Sequence, residues 1–469
     1  LRPLFKGQDR AERHMNLQVD ALTINEVSAN DVTLDFTTGL SGVEVKALRV
    51  GDVDGATLTG NGLMLSSPDG PSGSMKFALA AADPTAFLRL LGLVGQDKPP
   101  AWTTALGKTD MKFDITASHD GKAASLVATA NGTSGPLGFA GTGELTGITA
   151  LETAHFTANG VANSDDGSNI LRLMGLVPLQ NDSAAGEATL ALQGDWQSGL
   201  LAEFKASALE AEMSYKGKLQ PLQTHWGPDG DISISARSAA GLRRIMGWPL
   251  KETEGTINMA AHIADDSTGL HVTGVKANIL GTSLTGTGTI DGTGKLSADL
   301  ETGPLELGDV LTWSLLDWDG SANDVTKSFA DPKAALRPAE IFVHPQSLVT
   351  GIGVPMDEAI IGYGATADAV TLSLRQPGPE GQEGELVLKP LGASYDVSAH
   401  GRIKLDVAKI LKGTDGAGFG SGTLQLEGSA RGEGRSPAAV LASLNGKGSY
   451  WLNAGKLDPA YRIPEAQRA

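Results

Sequence analysis

The sequence predicts a mainly β fold, a long antiparallel sheet built from repeats with short helices between them. Glycine is abundant, at 61 of 469 residues, while aromatic residues make up only 5% of the chain. Apolar residues alternate with polar or small ones over many short stretches, which is the period of a strand with one dry face. A short phrase ending in glycine occurs three times, which indicates repeats of supersecondary size.

The repeated phrase reads FLRLLGLV at 87–94, ILRLMGLV at 170–177 and LRRIMGWP at 242–249. Its glycines, at positions 92, 175 and 247, are 83 and 72 residues apart. In the first copy, Asp83 and Pro84 precede the apolar residues, which is typical of a capped helical turn that stops at a glycine. We therefore expect one short helix at the end of each repeat.

A second marker, a strand of small residues that ends in glycine and an apolar residue, gives a similar period. It reads GATLTGNGL at 55–63, GPLGFAGTGEL at 135–145, MSYKGKL at 213–219 and GTSLTGTGTI at 281–290. Its glycines, at positions 62, 143, 217 and 288, are 81, 74 and 71 residues apart. Together the two markers predict four β-rich repeats, at about 17–94, 109–177, 186–249 and 253–313.

The rest of the chain is predicted to contain two linkers, a further β region and a tail. Residues 1–16 are charged and lack a period, which indicates a linker. The repeat ends after the fourth copy, and residues 314–336 indicate a second linker. Strands resume over residues 337–457, and residues 458–469 form a tail.

Local signals within these regions predict particular turns and one further helix. Asp-Gly pairs at 229–230 and 291–292 predict turns between antiparallel strands. Ser436 and Pro437 predict the start of a short helix, since these residue types favour the cap and the first helical position. The glycines at 446 and 448 then lead into a strand.

Composition and spacing give no sign of catalysis, metal binding or nucleic-acid binding. The formal net charge of -17 and the lack of clustered Lys and Arg disfavour nucleic acid. No two of the eight histidines have the spacing of ligands on one helix face, and no nucleophile elbow or phosphate-binding loop occurs. The acidic loops at 165–167 and 317–320 lack the full oxygen set of a calcium loop and indicate ordinary turns. We expect no enzyme activity, no metal and no cofactor.

The apolar side of such a sheet must be covered by a second sheet, by helices or by a ligand. One short helix per repeat is too little to cover it, so the sheet must curl on itself or stay partly open. An open sheet would form an apolar channel that suits acyl chains. The predicted lining consists of inward apolar residues, namely Leu190, Leu192, Ile257, Met259, Ile263, Leu296, Leu300, Val370, Leu372, Leu374, Leu386, Leu388, Leu424 and Leu426.

The strand units at 55–63 and 281–290, with the turn at 83–92, resemble those of the AsmA family of bacterial envelope proteins. The phrase SPAAVLASLNGKGSYWLNAGKL at 436–457 is the most specific part, since it resembles the Leu-x-Gly-x-Gly strand that follows a short helix in the AsmA C-terminal region. The resemblance covers about residues 17–457 and identifies the region at 337–457 as similar to the AsmA C-terminal region.

This resemblance implies an elongated, curved sheet with an apolar groove, in a periplasmic protein anchored in the bacterial inner membrane. Such a protein carries phospholipids towards the outer membrane and supports outer-membrane homeostasis, with outer-membrane or envelope proteins as partners. The chain opens at Leu1 and has neither a leader nor an apolar run of about 18 residues, so we expect the anchor to lie outside it. The alternative hypothesis is a β-repeat scaffold or adhesin with a closed core and no ligand.

Overall fold

The chain folds into two compact units that are both mainly β, as the sequence predicts. The first unit is residues 1–236 with 244–247, and the second is residues 237–243 with 248–469. The computed structural model describes residues 12–24, 27–39, 42–53, 55–67, 70–90, 100–119, 124–148, 154–176, 184–221, 226–238, 254–279, 281–307, 338–349, 354–392, 394–412 and 420–457.

The described part of the first unit contains thirteen strands in one antiparallel sheet. Each strand pairs with the next one along the chain, so the sheet is a simple meander. The strands are β1 (Arg13–Ile24), β2 (Val27–Gly39), β3 (Gly42–Val53), β4 (Ala56–Ser67), β5 (Gly70–Ala81), β6 (Thr109–His119), β7 (Ala124–Ser134), β8 (Leu137–Thr146), β9 (His155–Ser164), β10 (Gly186–Asp195), β11 (Gly199–Ala208), β12 (Ala211–Pro221) and β13 (Trp226–Ser238).

Short helices interrupt this meander at the positions that the repeated phrase predicts. Helix α1 (Thr85–Leu90) and a 3-10 helix (Ala101–Ala105) lie between β5 and β6, and α2 (Ser168–Leu173) lies between β9 and β10. Strands β5 and β9 run in the same direction, because four antiparallel pairings separate them. Both helical connections therefore lie at the same ends of the strands. We call this side of the sheet, formed by strand ends, the helix edge.

The second copy of the phrase ends at its glycine, as predicted. Gly175 has a φ of 77°, its N–H donates to the carbonyl of Arg172 at 2.8 Å, and the N–H of Leu176 donates to the carbonyl of Leu171 at 3.0 Å. These two bonds close the last turn of α2 around a left-handed glycine. The third copy and residues 91–94 of the first lie outside the described residues.

The helices cover the helix edge of the first sheet. Helix α1 packs Ala86 and Phe87 onto a buried cluster that includes Leu79, and α2 buries Ile170 and Leu171 completely. Burying one such large side chain contributes about 1.5–3 kcal/mol, so these contacts hold the two helices against the parts of the sheet that they touch. The opposite edge, called here the hairpin edge, carries the tight connection between β10 and β11.

The described part of the second unit contains fourteen strands. Eleven form one sheet, which is antiparallel except where β17 pairs with β19, and three short strands, β18, β20 and β21, form a small separate sheet. The strands are β14 (Glu254–Asp266), β15 (Gly269–Ile279), β16 (Thr282–Asp291), β17 (Leu296–Thr302), β18 (Leu305–Glu306), β19 (Ala339–Pro345), β20 (Ser347–Val349), β21 (Met356–Asp357), β22 (Ile360–Ala365), β23 (Val370–Arg375), β24 (Glu383–Leu391), β25 (Ser394–Asp406), β26 (Gly420–Gly434) and β27 (Asn445–Leu457).

The described part of this unit contains two helices, α3 (Val407–Leu411) and α4 (Pro437–Ser443). The predicted start of α4 is confirmed, because the hydroxyl of Ser436 accepts the N–H of Ala439 at 3.2 Å and Pro437 is the first helical residue. The strand predicted after it is β27. The predicted turn at Asp291 is also confirmed, since β16 ends there.

The strand marker that predicts the repeat falls on every fourth strand. Its glycines are Gly62 in β4, Gly143 in β8, Gly217 in β12 and Gly288 in β16. One repeat therefore corresponds to four strands. The second predicted linker, at 314–336, and the predicted tail, at 458–469, lie outside the described residues.

Two sequence-based predictions are wrong in detail. Strand β1 begins at Arg13, inside the segment 1–16 predicted as a linker. The prediction failed because charged residues on this exposed strand hide its alternation of apolar and polar residues. The predicted turn at 229–230 lies inside β13, where Gly230 pairs with Gly217. The hydroxyl of Tyr215 donates to the carbonyl of Lys218 at 2.9 Å there, and a Cβ on Gly230 would lie 2.4 Å from the Cα of Gly217. The glycines therefore serve a close approach of strands, and they form no turn.

Candidate functional site

One side of the first sheet is apolar across all thirteen strands. The pairing register aligns one residue from each strand into a continuous row, and every member is apolar or glycine except one tyrosine. We call the side of the sheet that carries this row the first apolar face. The row is Leu17, Leu34, Leu48, Gly60, Phe77, Phe113, Ala130, Gly141, Gly160, Leu190, Phe204, Tyr215 and Ile232.

The other side of the same strands is mostly polar. Because neighbouring residues of a strand point to opposite sides, the adjacent row belongs to the opposite face. That row is Gln18, Thr33, Arg49, Thr59, Ala78, Lys112, Asn131, Ala140, Val161, Thr189, Lys205, Ser214 and Ser233. The sheet thus separates an apolar side from a solvated side along its whole width.

Among the described residues, protein side chains leave parts of the first apolar face open. In the middle of the row, Ala130, Gly141 and Gly160 follow one another across β7 to β9 and bring no large side chain. Leu190 pairs with Gly160 and is 41% exposed, and Leu17 in β1 is 50% exposed. Since protein interiors are close-packed, small residues beside exposed leucines indicate an apolar surface that lacks a protein cover.

The second unit has the same arrangement across its eleven-stranded sheet. Again one register row is apolar or glycine except for one tyrosine, and we call its side the second apolar face. The row is Ile263, Val272, Gly288, Ala298, Ile341, Tyr363, Leu372, Leu386, Ala399, Ala430 and Gly446. A neighbouring row on the opposite face is mostly polar and includes His271, Ser297, Thr371 and Arg431.

Two local covers pack on the second apolar face and leave a space between them. The small sheet buries Leu348 and Met356 in one cluster with Ile361, and α4 buries Val440 in another cluster with Leu388. Each cover is a few residues wide.

A cavity of about 700 Å³ occupies this region of the second apolar face, along β22 to β27. Leu372, Leu386 and Leu426 of the sheet line it, together with Leu307 and Leu444. Its volume falls in the range of roughly 300–1,000 Å³ that is usual for small-molecule sites. The arrangement can therefore hold an apolar ligand without rearrangement of the sheet.

The structure places all fourteen predicted lining residues on the apolar faces. Leu190 and Leu192 lie on the first face, and the other twelve lie on the second. Ile257, Val370 and Leu388 are buried, Leu190 is exposed and the remaining ten are half-buried. The cavity itself brings together four of the fourteen, namely Leu372, Leu374, Leu386 and Leu426.

The electrostatics of the faces agree with this division. The two tyrosines of the rows, Tyr215 and Tyr363, have a pKa raised above the ordinary value, chiefly because burial disfavours the phenolate. Hydrogen bonds lower the pKa of exposed carboxylates in the turns instead. The hydroxyl and N–H of Thr268 hold the pKa of Asp266 at about 2.

The acidic residues that could suggest metal binding have ordinary structural roles. Asp166, in the predicted acidic turn at 165–167, accepts the N–H of Ser168 at 2.9 Å at the start of α2, and the loop at 317–320 is outside the described residues. Among the residues that the structure describes, no group of three His, Cys, Asp or Glu is arranged to hold a metal ion. In the same part of the chain, no helix has the length and apolar character needed to cross a membrane.

Sequence reasoning missed the small and aromatic members of the first apolar face. Ala130, Gly141 and Gly160 are too small to show an apolar alternation along their strands. The threonines and asparagines next to them in the sequence mark the polar side and are a usable signal. It also missed a cluster of Trp196 and Trp226, which are 30 residues apart in the chain and have no sequence motif.

Comparison with known proteins adds no family or fold neighbour. No family model, curated protein or solved structure matches this chain. The resemblance to the AsmA family therefore stays a prediction.

Proposed function

We propose that the chain binds phospholipids by their acyl chains on its apolar faces and conducts them along these faces. In this proposal the full protein is a periplasmic bridge, anchored in the inner membrane by a segment outside this chain. It carries phospholipids to the outer membrane and supports outer-membrane homeostasis, as the resemblance to the AsmA family implies. It binds and moves lipids and catalyses no reaction.

The cavity on the second apolar face is the observation that carries the proposal. The lining residues that belong to the apolar face, such as Leu372, Leu386 and Ala399, are apolar or glycine, apart from one tyrosine. The lining also includes polar strand neighbours such as Glu385 and Glu427, which alternate with them along the strands. An acyl chain on this face leaves water, which is favourable in proportion to the apolar area covered. Its charged headgroup stays in solvent at the open side, which avoids the cost of burying a charge.

The exposure of the lining residues favours this function over the alternative of a closed scaffold. A β-repeat scaffold or adhesin with a closed core would bury its inward residues. Here only three of the fourteen predicted lining residues are buried. Half-buried leucines over a cavity favour a face that a ligand completes.

Lipid extraction tests the proposal directly. We expect protein purified from cells to yield phospholipid by mass spectrometry after solvent extraction. The delipidated chain should then take up a fluorescent phosphatidylethanolamine with saturation. Uptake that never rises above that of a lipid-free control protein would support the scaffold instead.

A cavity-filling substitution locates the bound lipid. Ala399→Phe places a ring in the row between Leu386 and Ala430, inside the cavity, whereas Ser398→Phe places the same ring on the exposed opposite face. We expect Ala399→Phe to lower the amount of bound lipid and Ser398→Phe to leave it unchanged. Equal lipid loads in both variants would mean that the lipid does not occupy this cavity.

Conduction needs its own measurement, because binding alone does not move lipid. Donor vesicles that carry a quenched fluorescent phospholipid are mixed with unlabelled acceptor vesicles and the delipidated protein. We expect transfer at a rate proportional to protein concentration, slowed by Ala399→Phe. Binding without transfer would limit the function to lipid holding.

A further inference from the structure

Three aromatic side chains form a cluster at the hairpin edge of the first unit. The ring of Trp196 lies 5.9 Å from the ring of Phe156 and 5.5 Å from that of Trp226, measured between centroids. Trp196 is 45% exposed and Trp226 is 36% exposed. The chain contains only 7 tryptophans, so two exposed rings in one contact are a concentrated apolar surface.

The cluster is continuous with the first apolar face. Phe156 pairs with Gly194, and Trp226 pairs with Pro221, so both belong to the register rows at the rim of that face. Trp196 projects from the turn between β10 and β11. An apolar molecule that leaves the first apolar face at the hairpin edge between β9 and β13 therefore meets these rings.

The turn that carries Trp196 is held in one conformation. The carboxylate of Asp195 accepts the N–H of Gln197 at 3.0 Å and the N–H of Ser198 at 2.6 Å, and it also accepts the hydroxyl of Ser198. These bonds fix the backbone on both sides of the exposed ring. The exposure of Trp196 is thus a property of an ordered turn, whose ring is available without refolding.

We propose that this cluster of Phe156, Trp196 and Trp226 contacts the surface of a zwitterionic phospholipid bilayer. Indole rings combine a large apolar area with one polar N–H, which suits the boundary between acyl chains and headgroups. The net charge of -17 and the carboxylate of Asp195 repel an anionic surface, so the partner surface is neutral overall. The cluster would let lipids pass between a bilayer and the first apolar face, and in this respect it rests on the proposed function.

Vesicle sedimentation with matched tryptophan variants tests the proposal. Full-length chain is mixed with phosphatidylcholine vesicles, and the bound fraction is measured for wild type, Trp196→Ser, Trp226→Ser and the double variant. Trp451→Ser is the control, because Trp451 is 46% exposed but lies in β27 of the other unit. Circular dichroism checks that every variant keeps the strand content of the wild type.

We expect the chain to bind phosphatidylcholine vesicles and each cluster variant to bind about tenfold more weakly, as the loss of roughly 50 Å² of inserted apolar area implies. The control should bind like wild type. Equal weakening in the control, or a double variant that binds like wild type, would overturn the proposal, as would binding to phosphatidylglycerol vesicles alone. A wild type that binds no vesicles but captures a protein would assign the cluster to a protein partner. Sedimentation reports adsorption only, so it can succeed even if lipid uptake fails.

Discussion

Replacing Leu372 with aspartate tests the second apolar face at the centre of its cavity. Leu372 lies in register between Tyr363 and Leu386 and lines the cavity. A bound acyl chain would lose roughly 60 Å² of apolar contact there, which costs about 1.5 kcal/mol. Partial desolvation of the new carboxylate costs about 2 kcal/mol more, a low value because the position is half-buried. Together these effects should weaken phospholipid binding by roughly 300-fold.

The neighbouring residue provides a matched control. Thr371 pairs with Gly364 and Val387 on the opposite face, so Thr371→Asp introduces the same charge without touching the cavity. Binding is measured by titrating fluorescent phosphatidylethanolamine into each delipidated variant, and urea unfolding confirms that both remain folded. Leu372→Asn, which adds a polar group without a charge, should give an intermediate loss. Equal losses in Leu372→Asp and Thr371→Asp would refute the assignment of faces.

Three further predictions concern single interactions. Ser436→Ala removes the hydroxyl that caps α4, and the free energy of unfolding in urea should fall by about 1 kcal/mol; an unchanged midpoint would count against the cap. Gly175→Ala adds a side chain at a φ of 77°, which should lower the free energy of unfolding by about 1 kcal/mol and lower the melting temperature. Replacing an exposed glycine within a strand should not have this effect. Thr268 holds the pKa of Asp266 at about 2, below its ordinary 3.8. The ionised form therefore stabilises the turn above about pH 4, and this contribution is lost as the pH falls towards 2. An NMR titration should show that midpoint, and Thr268→Val should raise it; a midpoint near 3.8 in the wild type would contradict the hydrogen bonds.

Much of the fold could be predicted because its signals are local. Strand alternation, the repeated helical phrase and the cap at Ser436 each involve residues a few positions apart, and local geometry decides them. The same alternation assigned Leu372 and Leu386 to one side of the sheet. Antiparallel register then extends that assignment from strand to strand, since paired residues share a face.

The rest depended on contacts between residues distant in sequence. Gly230 lies in a strand whose backbone approaches Gly217 of the neighbouring strand too closely for a side chain, and an Asp-Gly pair alone cannot reveal that. The cavity exists because the two covers on the second apolar face do not meet. Their positions depend on where the chain returns to the sheet after each loop. The aromatic contact between Trp196 and Trp226 likewise results from strand order and has no local signal.

The spacing of four strands between helical connections makes the repeat a unit of length. Adjacent strands lie about 4.8 Å apart, so one repeat widens a sheet by roughly 19 Å. Inserting or deleting a whole repeat leaves the direction of every later strand unchanged, and the later helices stay on their own side. Inserting or deleting an odd number of strands would reverse the direction of all later strands. The later helical connections would then lie at the hairpin edge. Evolution can therefore adjust the reach of such a chain in even steps, while the sequence of the later strands stays the same.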